Sequence, residues 1–272
     1  MKLALAQMAV EPADLSGNRR RAVDAVERAA ADGCELVVLP ELFTVGYFAF
    51  EAYARSAEGI GGETLTELQS LAAEHDIAVL AGSFVEDLEL SAADGHDVPA
   101  PEGLANTSVF IDRAGERRAV YRKQHLFGYD SAESELLVAG DSVPTVDFAG
   151  FTVGVTTCYD LRFPELYRRL VDDGVTLVLV PSAWPYPRVE HWRLLPRARA
   201  VENQCYVAAA NGVGRFEEAE LLGRSTVYDP WGTTLASADD DAALVTATVT
   251  PEKVSAVRSE FPALADRRGD LG

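Results

Sequence analysis

Short apolar, β-branched runs recur near residues 2–9, 35–40, 77–85, 105–112, 117–122, 151–157, 175–181, 205–211, 222–228 and 243–249. Helical patterns lie among them at about 17–32, 63–75, 164–173, 189–203 and 251–259. This alternation predicts an α/β chain whose sheets are covered on an outer face by helices. The first helical pattern places Ala22, Val23, Val26, Ala29 and Ala30 on one side and stops at Gly33. Asp112-Arg-Ala-Gly115 reads as a turn, so one antiparallel hairpin interrupts the rhythm. The stretch 91–103 reads as a surface insertion, and no Pro- or Ser-rich linker divides the chain. A single domain is therefore expected over 1–272, with its core ending near 260. Residues 261–272 carry no pattern and are expected to pack against a neighbouring element or subunit.

Composition narrows the setting. With 272 residues, 48% of them apolar, the chain can bury a sizeable core. No apolar run approaches the ~20 residues a bilayer span requires. Met1 to Val10 reads as a first strand rather than a signal peptide. Cys34, Cys158 and Cys205 are odd in number, far apart and without Cys-x-x-Cys spacing. Neither a disulfide framework nor zinc is expected, and a reducing cytoplasm is the natural compartment. A formal charge of −19 argues against nucleic acid and anionic membranes as partners. The acidic residues are dispersed, apart from Asp239-Asp-Asp241 and Glu217-Glu-Ala-Glu220, which is the pattern of a halophilic surface. There is no Gly-rich phosphate loop and the histidines are scattered, so no cofactor or metal is implied.

The most chemically suggestive stretch runs from Phe151 to Leu166. A buried strand, Phe151 to Thr157, stops at Cys158, and Pro164 stands near the first position of a helix. A thiol at such a junction meets a substrate carbonyl, with backbone N–H groups nearby for the oxyanion. A thiol with its ordinary pKa near 8.5 needs a base or cation beside it. His75 and His96 are expected to face solvent, whereas His125 and His191 occupy more suggestive loops. A carboxylate is the other candidate: Glu41 follows the apolar run Glu35 to Leu39 and Pro40. The chain's three lysines are Lys2, Lys123 and Lys253. Lys123 follows the strand ending at Arg122, where a compact ammonium is not interchangeable with arginine. Three strand ends thus offer an acid, a cation and a thiol to one pocket.

The segments Leu39-Pro-Glu-Leu-Phe43, Tyr121-Arg-Lys-Gln-His-Leu-Phe127 and Thr157-Cys-Tyr-Asp-Leu-Arg-Phe-Pro-Glu-Leu166 resemble the signature motifs of the carbon–nitrogen hydrolase (nitrilase) superfamily. The likeness extends from residue 2 to about 260. It includes Asn106-Thr-Ser108, the run Ala198 to Tyr206, and the run Gly223 to Gly232. The resemblance implies a four-layer α-β-β-α sandwich, usually dimerised through an outer face, and a Glu41–Lys123–Cys158 site. It also implies that Glu133 is the family's second glutamate, with Glu135 two residues on as the competing alignment. In the roles that follow, Glu41 takes the thiol proton and Cys158 forms a thioester. Lys123 and the Tyr159 backbone N–H hold the oxyanion, and Glu133 supports Lys123 or acts directly.

Cys158 to Pro164, with the run Ser182 to Trp192, is most similar to the ω-amidase branch, which cleaves terminal amides of short dicarboxylic acid monoamides such as 2-oxoglutaramate. An anionic substrate needs a cation at its far end. Arg188 is the first candidate and Arg162 the second, with a salt bridge at its own helix start as the competing role. Tyr47, Phe48, Tyr129 and Trp184 are candidate wall residues. N-carbamoyl amide hydrolysis, general aliphatic amidase activity, a His-assisted thiol hydrolase and a non-catalytic scaffold are the alternatives. Nitrile hydrolysis is disfavoured because Tyr-Asp, not Trp-Glu, follows the cysteine.

Overall fold

The computed structural model describes residues 1–129, 131–217 and 219–268. The first half of the chain lays down strands β1 (Lys2–Gln7), β2 (Leu36–Val38), β3 (Ala78–Asp87), β4 (Leu104–Ile111) and β5 (Arg117–Arg122). The second supplies β6 (Thr145–Phe148), β7 (Phe151–Val155), β8 (Leu177–Ser182) and β9 (Tyr206–Asn211), a two-stranded ribbon of β10 (Val213–Phe216) and β11 (Ala219–Leu222), then β12 (Thr226–Tyr228), β13 (Thr234–Ser237) and β14 (Ala243–Thr248). These make two six-stranded mixed sheets, in the orders β14-β1-β2-β3-β4-β5 and β13-β12-β9-β8-β7-β6. β14 returns to pair antiparallel with β1, so the end of the chain closes the first sheet.

Side-chain alternation along the strands sorts the core into layers. Leu3, Leu5, Leu36, Val38 and Leu80 pack with Val153, Val155, Leu177 and Leu179 of the other sheet. The intervening Ala4, Ala6, Val37, Val79 and Ala81 face outward, onto α1 (Leu15–Ala31) and α3 (Glu63–His75) through Ala22, Val26 and Leu68. Between these helices lies the single turn α2 (Tyr53–Ser56), and the short α4 (Leu88–Ala93) and α5 (Glu133–Leu136) follow. The second sheet carries α6 (Pro164–Asp172) and α7 (Val189–Asn203). Leu166, Leu170, Trp192 and Ala200 join its core there. Two sheets back to back between helix layers form the α-β-β-α sandwich. Helix α8 (Pro251–Glu260) ends the regular structure.

Among the described residues no helix is long and apolar enough to cross a membrane. The 104–122 hairpin turns at Asp112–Gly115 as expected, with Gly115 at φ +78°. The insertion at 91–103 begins inside α4, and β6, β10 and β13 were not apparent in the apolar pattern. The run 222–228 is broken at Gly223–Ser225 into the end of β11 and β12. Of the tail, the Phe261 carbonyl accepts a hydrogen bond from Gln204 and its ring lies tilted against Trp231, and Arg267 pairs with Asp172 at the end of α6. Residues 269–272 lie outside the described residues.

Candidate active site

Glu41 stands just beyond β2, in a loop pressed against β3. Its approach depends on Gly82, where a Cβ would come within 2.0 Å of the Pro40 carbonyl oxygen. β3 shifts register at this point. A side chain there would push the loop, and the carboxylate with it, out of place. The Glu41 Oε2 accepts from the Ala183 N–H at 2.9 Å, just past β8, so both sheets hold it.

Lys123 follows β5, and its N–H still pairs with the Asn106 carbonyl at 2.9 Å. The strand end is fastened on its other face by Arg122, whose fork donates to Glu86 of β3 at 2.6 and 2.7 Å. This leaves the Lys123 side chain directed inward and 1% exposed. Its Nζ donates to Glu41 Oε1 at 2.9 Å and to both Glu133 oxygens at 2.8 and 2.9 Å. Burial opposes the ammonium, but the Glu133 and Glu41 carboxylates outweigh it, and the pKa of Lys123 rises well above its ordinary value. Burial pushes the Glu41 carboxyl above the usual carboxylate range, against the pull of Lys123.

Glu133 begins α5 and is fully buried, whereas Glu135 is exposed. Besides Lys123, Glu133 accepts from the Phe127 N–H at 2.7 Å and from the Tyr47 hydroxyl at 3.1 Å. Asn106, in β4 beside the edge strand of the first sheet, donates through one nitrogen to Glu41 at 2.9 Å and to Glu133 at 3.2 Å. Its amide orientation follows, since a flipped amide would set its oxygen against two carboxylates.

Cys158 opens a short 3₁₀ turn (Cys158–Arg162) at the end of β7, with φ +46°. Thr157 and Asp160 form a capping box around it. Tyr159 is in the first turn, where backbone N–H groups have no intrahelical acceptor. Burial, then the nearby Glu41 charge, push the Cys158 thiol well above its ordinary pKa, with Lys123 opposing. This surrounding favours the thiol over the thiolate.

The sulfur and the ammonium face a cavity of about 160 Å³. All five substrate-side residues expected from the sequence line it: Tyr47, Tyr129, Arg162, Trp184 and Arg188. Phe48 lines it too, and so does Phe127, which sequence reasoning missed. Tyr129 is 78% exposed and stands at the rim. At its helix start Arg162 makes no salt bridge among the described residues, contrary to the competing expectation. Among the described residues it forms no ion pair, and its guanidinium lies over Trp184 at 5.1 Å and Tyr159 at 5.7 Å. Arg188 lies over Phe127 at 5.7 Å. None of the four histidines lines the cavity. His125 is held by Asp160 and stacked on Phe163, and His191 accepts from Arg162.

Asn106 and Asp160 are further residues of the site that sequence reasoning missed. The available signal was polarity: each is a short polar side chain within or beside an apolar run, where burial demands hydrogen-bond partners.

Comparison with known proteins places the chain in a family. Residues 2–259 match the carbon-nitrogen hydrolase family model. The 2-oxoglutaramate amidase of Paenarthrobacter nicotinovorans is 39% identical over 87% of this chain and 79% of its own length. The omega-amidase of Homo sapiens is 35% identical over 99% of this chain and 96% of its own. A variant of the amidase from Nesterenkonia sp. AN1, with the acetamide moiety of fluoroacetamide added covalently to its active-site cysteine, superposes with a TM-score of 0.82. It is 30% identical over 100% of this chain and 95% of its own. The chain is thus a member of the carbon–nitrogen hydrolase family, most similar to the ω-amidase branch of the nitrilase superfamily.

Proposed function

We propose that this protein is an ω-amidase, a thiol amidohydrolase that cleaves the terminal amide of short dicarboxylic acid monoamides such as 2-oxoglutaramate and releases ammonia. The observation that carries the reading is one ammonium, Lys123, clamped between two buried carboxylates beside the Cys158 thiol, at the floor of a cavity with two guanidiniums on its walls.

In the first half-reaction the Cys158 proton passes to Glu41 as sulfur bonds to the amide carbon. The carbonyl electrons move to oxygen, which Lys123 Nζ and the Tyr159 N–H stabilise. Glu41 returns the proton to nitrogen, the C–N bond breaks, ammonia leaves and a thioester remains. Water then attacks the thioester and gives its proton to Glu41. The second tetrahedral intermediate uses the same donors, and the C–S bond breaks as Glu41 returns its proton to sulfur, releasing the acid and restoring the thiol. Glu133 keeps Lys123 charged and aimed. The raised pKa of Glu41 suits this role, because a stronger base takes a thiol proton more readily.

The cavity volume is close to the ~150 Å³ that holds one benzene, so it suits a substrate of few non-hydrogen atoms. Arg188 and Arg162 are assigned to the distal carboxylate, with Tyr47, Trp184 and Tyr129 around the methylenes. The test is ammonia release in high salt from 2-oxoglutaramate, succinamate, N-carbamoyl-β-alanine and propionamide. The reading expects the two monoamides to lead. Propionamide leading would make this a general aliphatic amidase, and N-carbamoyl-β-alanine leading a carbamoyl amidohydrolase. No ammonia from any of them, with no adduct on Cys158, would leave only a scaffold.

We further place the protein in a high-salt cytoplasm, on its dispersed acidic charge and its free thiols Cys34, Cys158 and Cys205. We assign a homodimer on the exposed Leu194, Val201, Trp231 and Phe261, which light scattering would check.

A further inference from the structure

Behind the reacting groups, one fully buried carboxylate touches neither the cavity nor any residue assigned a chemical role. Asp160 Oδ2 accepts from the Tyr121 hydroxyl at 2.6 Å and the Thr157 N–H at 2.8 Å. Its Oδ1 accepts from the His125 N–H at 3.1 Å and the His125 Nδ1 at 2.7 Å. A carboxylate only accepts, so the His125 proton sits on Nδ1. The His125 ring is held flat against Phe163, with centroids 3.7 Å apart, just past the thiol turn.

The sequence positions of these donors matter more than their number. Tyr121 and His125 lie two residues before and two residues after Lys123. Thr157 immediately precedes Cys158, and Tyr159 stands between Cys158 and Asp160. The lysine and the cysteine come from different sheets, and Asp160 joins their two segments from behind. We propose that Asp160 is the positioning residue that sets the spacing between the Lys123 ammonium and the Cys158 sulfur, and with it the oxyanion site of Lys123 Nζ and the Tyr159 N–H. This rests on the reading of Cys158 and Lys123 as the reacting pair.

Four donors converging on one side chain make the charge and shape specific. An amide of the same size turns its own N–H₂ toward one pair of donors. Thr157 N–H and His125 N–H, one in each pair, cannot reverse their role. Asp160→Asn therefore releases one segment while leaving volume unchanged. Asp160→Glu keeps the charge but displaces it by a methylene.

The test measures kcat and KM on whichever amide the wild type turns over, with kcat expressed per Cys158 thiol titrated, and the rate of Cys158 alkylation by iodoacetamide, read by intact mass. For Asp160→Asn, kcat per thiol should fall ~100-fold or more, the scale of losing one well-placed oxyanion donor. KM should stay within ~3-fold, and alkylation within ~3-fold, because that step forms no oxyanion. Asp160→Glu should behave in the same way. A role confined to folding would lower the number of titratable thiols and the melting temperature while leaving kcat per thiol at the wild-type value, and that result overturns the proposal. If Asp160→Asn does not fold, Tyr121→Phe, which removes one of the four donors, decides: a fall of ~5-fold in kcat per thiol supports the proposal and no change overturns it. A wild type that alkylates at Cys158 but releases ammonia from no amide would sink the reading of the reacting pair, and the proposal with it.

Discussion

The inner and outer ends of the cavity differ in how their charges are answered. At the inner end Lys123, Glu41 and Glu133 are buried and mutually bonded, and Asn106, Tyr47 and backbone N–H groups take up their remaining capacity. At the outer end Arg162 and Arg188 rest on aromatic faces without a carboxylate among the described residues. The inner set costs no reorganisation when charge develops on a substrate oxygen, because its partners are already in place. On the ω-amidase reading proposed above, the outer set is the part left to meet the substrate's distal carboxylate. Chemistry is built in and recognition is left open.

The sharpest way to break this division is at the inner end. Cys158→Ala should abolish turnover by ~10⁵-fold or more and remove the adduct seen by intact mass during turnover. Lys123→Arg keeps the charge, but its planar fork does not fit between two carboxylates. It should lower kcat at least ~10³-fold, measured by ammonia release. Glu133→Gln leaves Lys123 with one carboxylate; stability should fall by ~3 kcal/mol in urea unfolding, with a fall in kcat.

The outer end should respond differently. Arg188→Ala and Arg162→Ala should each raise KM for a charged monoamide ~10- to 100-fold, the worth of a charge-assisted hydrogen bond, while leaving propionamide kinetics unchanged. Equal losses on both substrates would erase the contrast. Titration separates the ends as well. Glu41 must be ionised to accept a proton, and burial has raised its pKa, so the acid limb of kcat/KM should lie above the ordinary carboxylate range. That limb reports the coupled Glu41–Lys123–Glu133 cluster rather than one residue, and Arg162→Ala should not move it. The smallest effect concerns salt. With a net charge of −19 the long-range field opposes an anionic substrate, and at ~1 M salt the screening length is only ~3 Å. kcat/KM for a charged monoamide should rise with salt more than for a neutral amide; equal responses would count against the anionic reading.

How much of this was legible in the sequence depends on how local each cause is. The long strands, the five main helices and the 112–115 turn follow from periodicity and punctuation within a few residues. Glu41, Lys123 and Cys158 were legible because each is a reactive group at the end of an apolar run. β6 and β13 were not, since Thr145–Phe148 and Thr234–Ser237 are short, mixed in polarity and largely uncovered. The choice of Glu133 over Glu135 needed the one turn of α5 to decide which faces inward. The work of Asn106 and Asp160 depends on partners 27 to 65 and 35 to 39 residues away, respectively, apart from the contact of Asp160 with Thr157. No window of sequence holds those contacts. The two arginines were named and ranked, but their stacking on Trp184 and Phe127 was not legible, because it is decided by loops that carry no period.

The left-handed backbone at Cys158 has a practical corollary for anyone preparing an inert version for substrate complexes. An L-residue held at φ +46° forgoes ~1–2 kcal/mol that glycine would not. Glycine gives back ~1 kcal/mol through the freedom of the unfolded chain. The glycine-substituted protein should therefore melt no lower than its alanine counterpart, reversing the usual order of those two replacements. Wherever a nucleophile sits on such a corner, glycine rather than alanine is the gentler inert replacement.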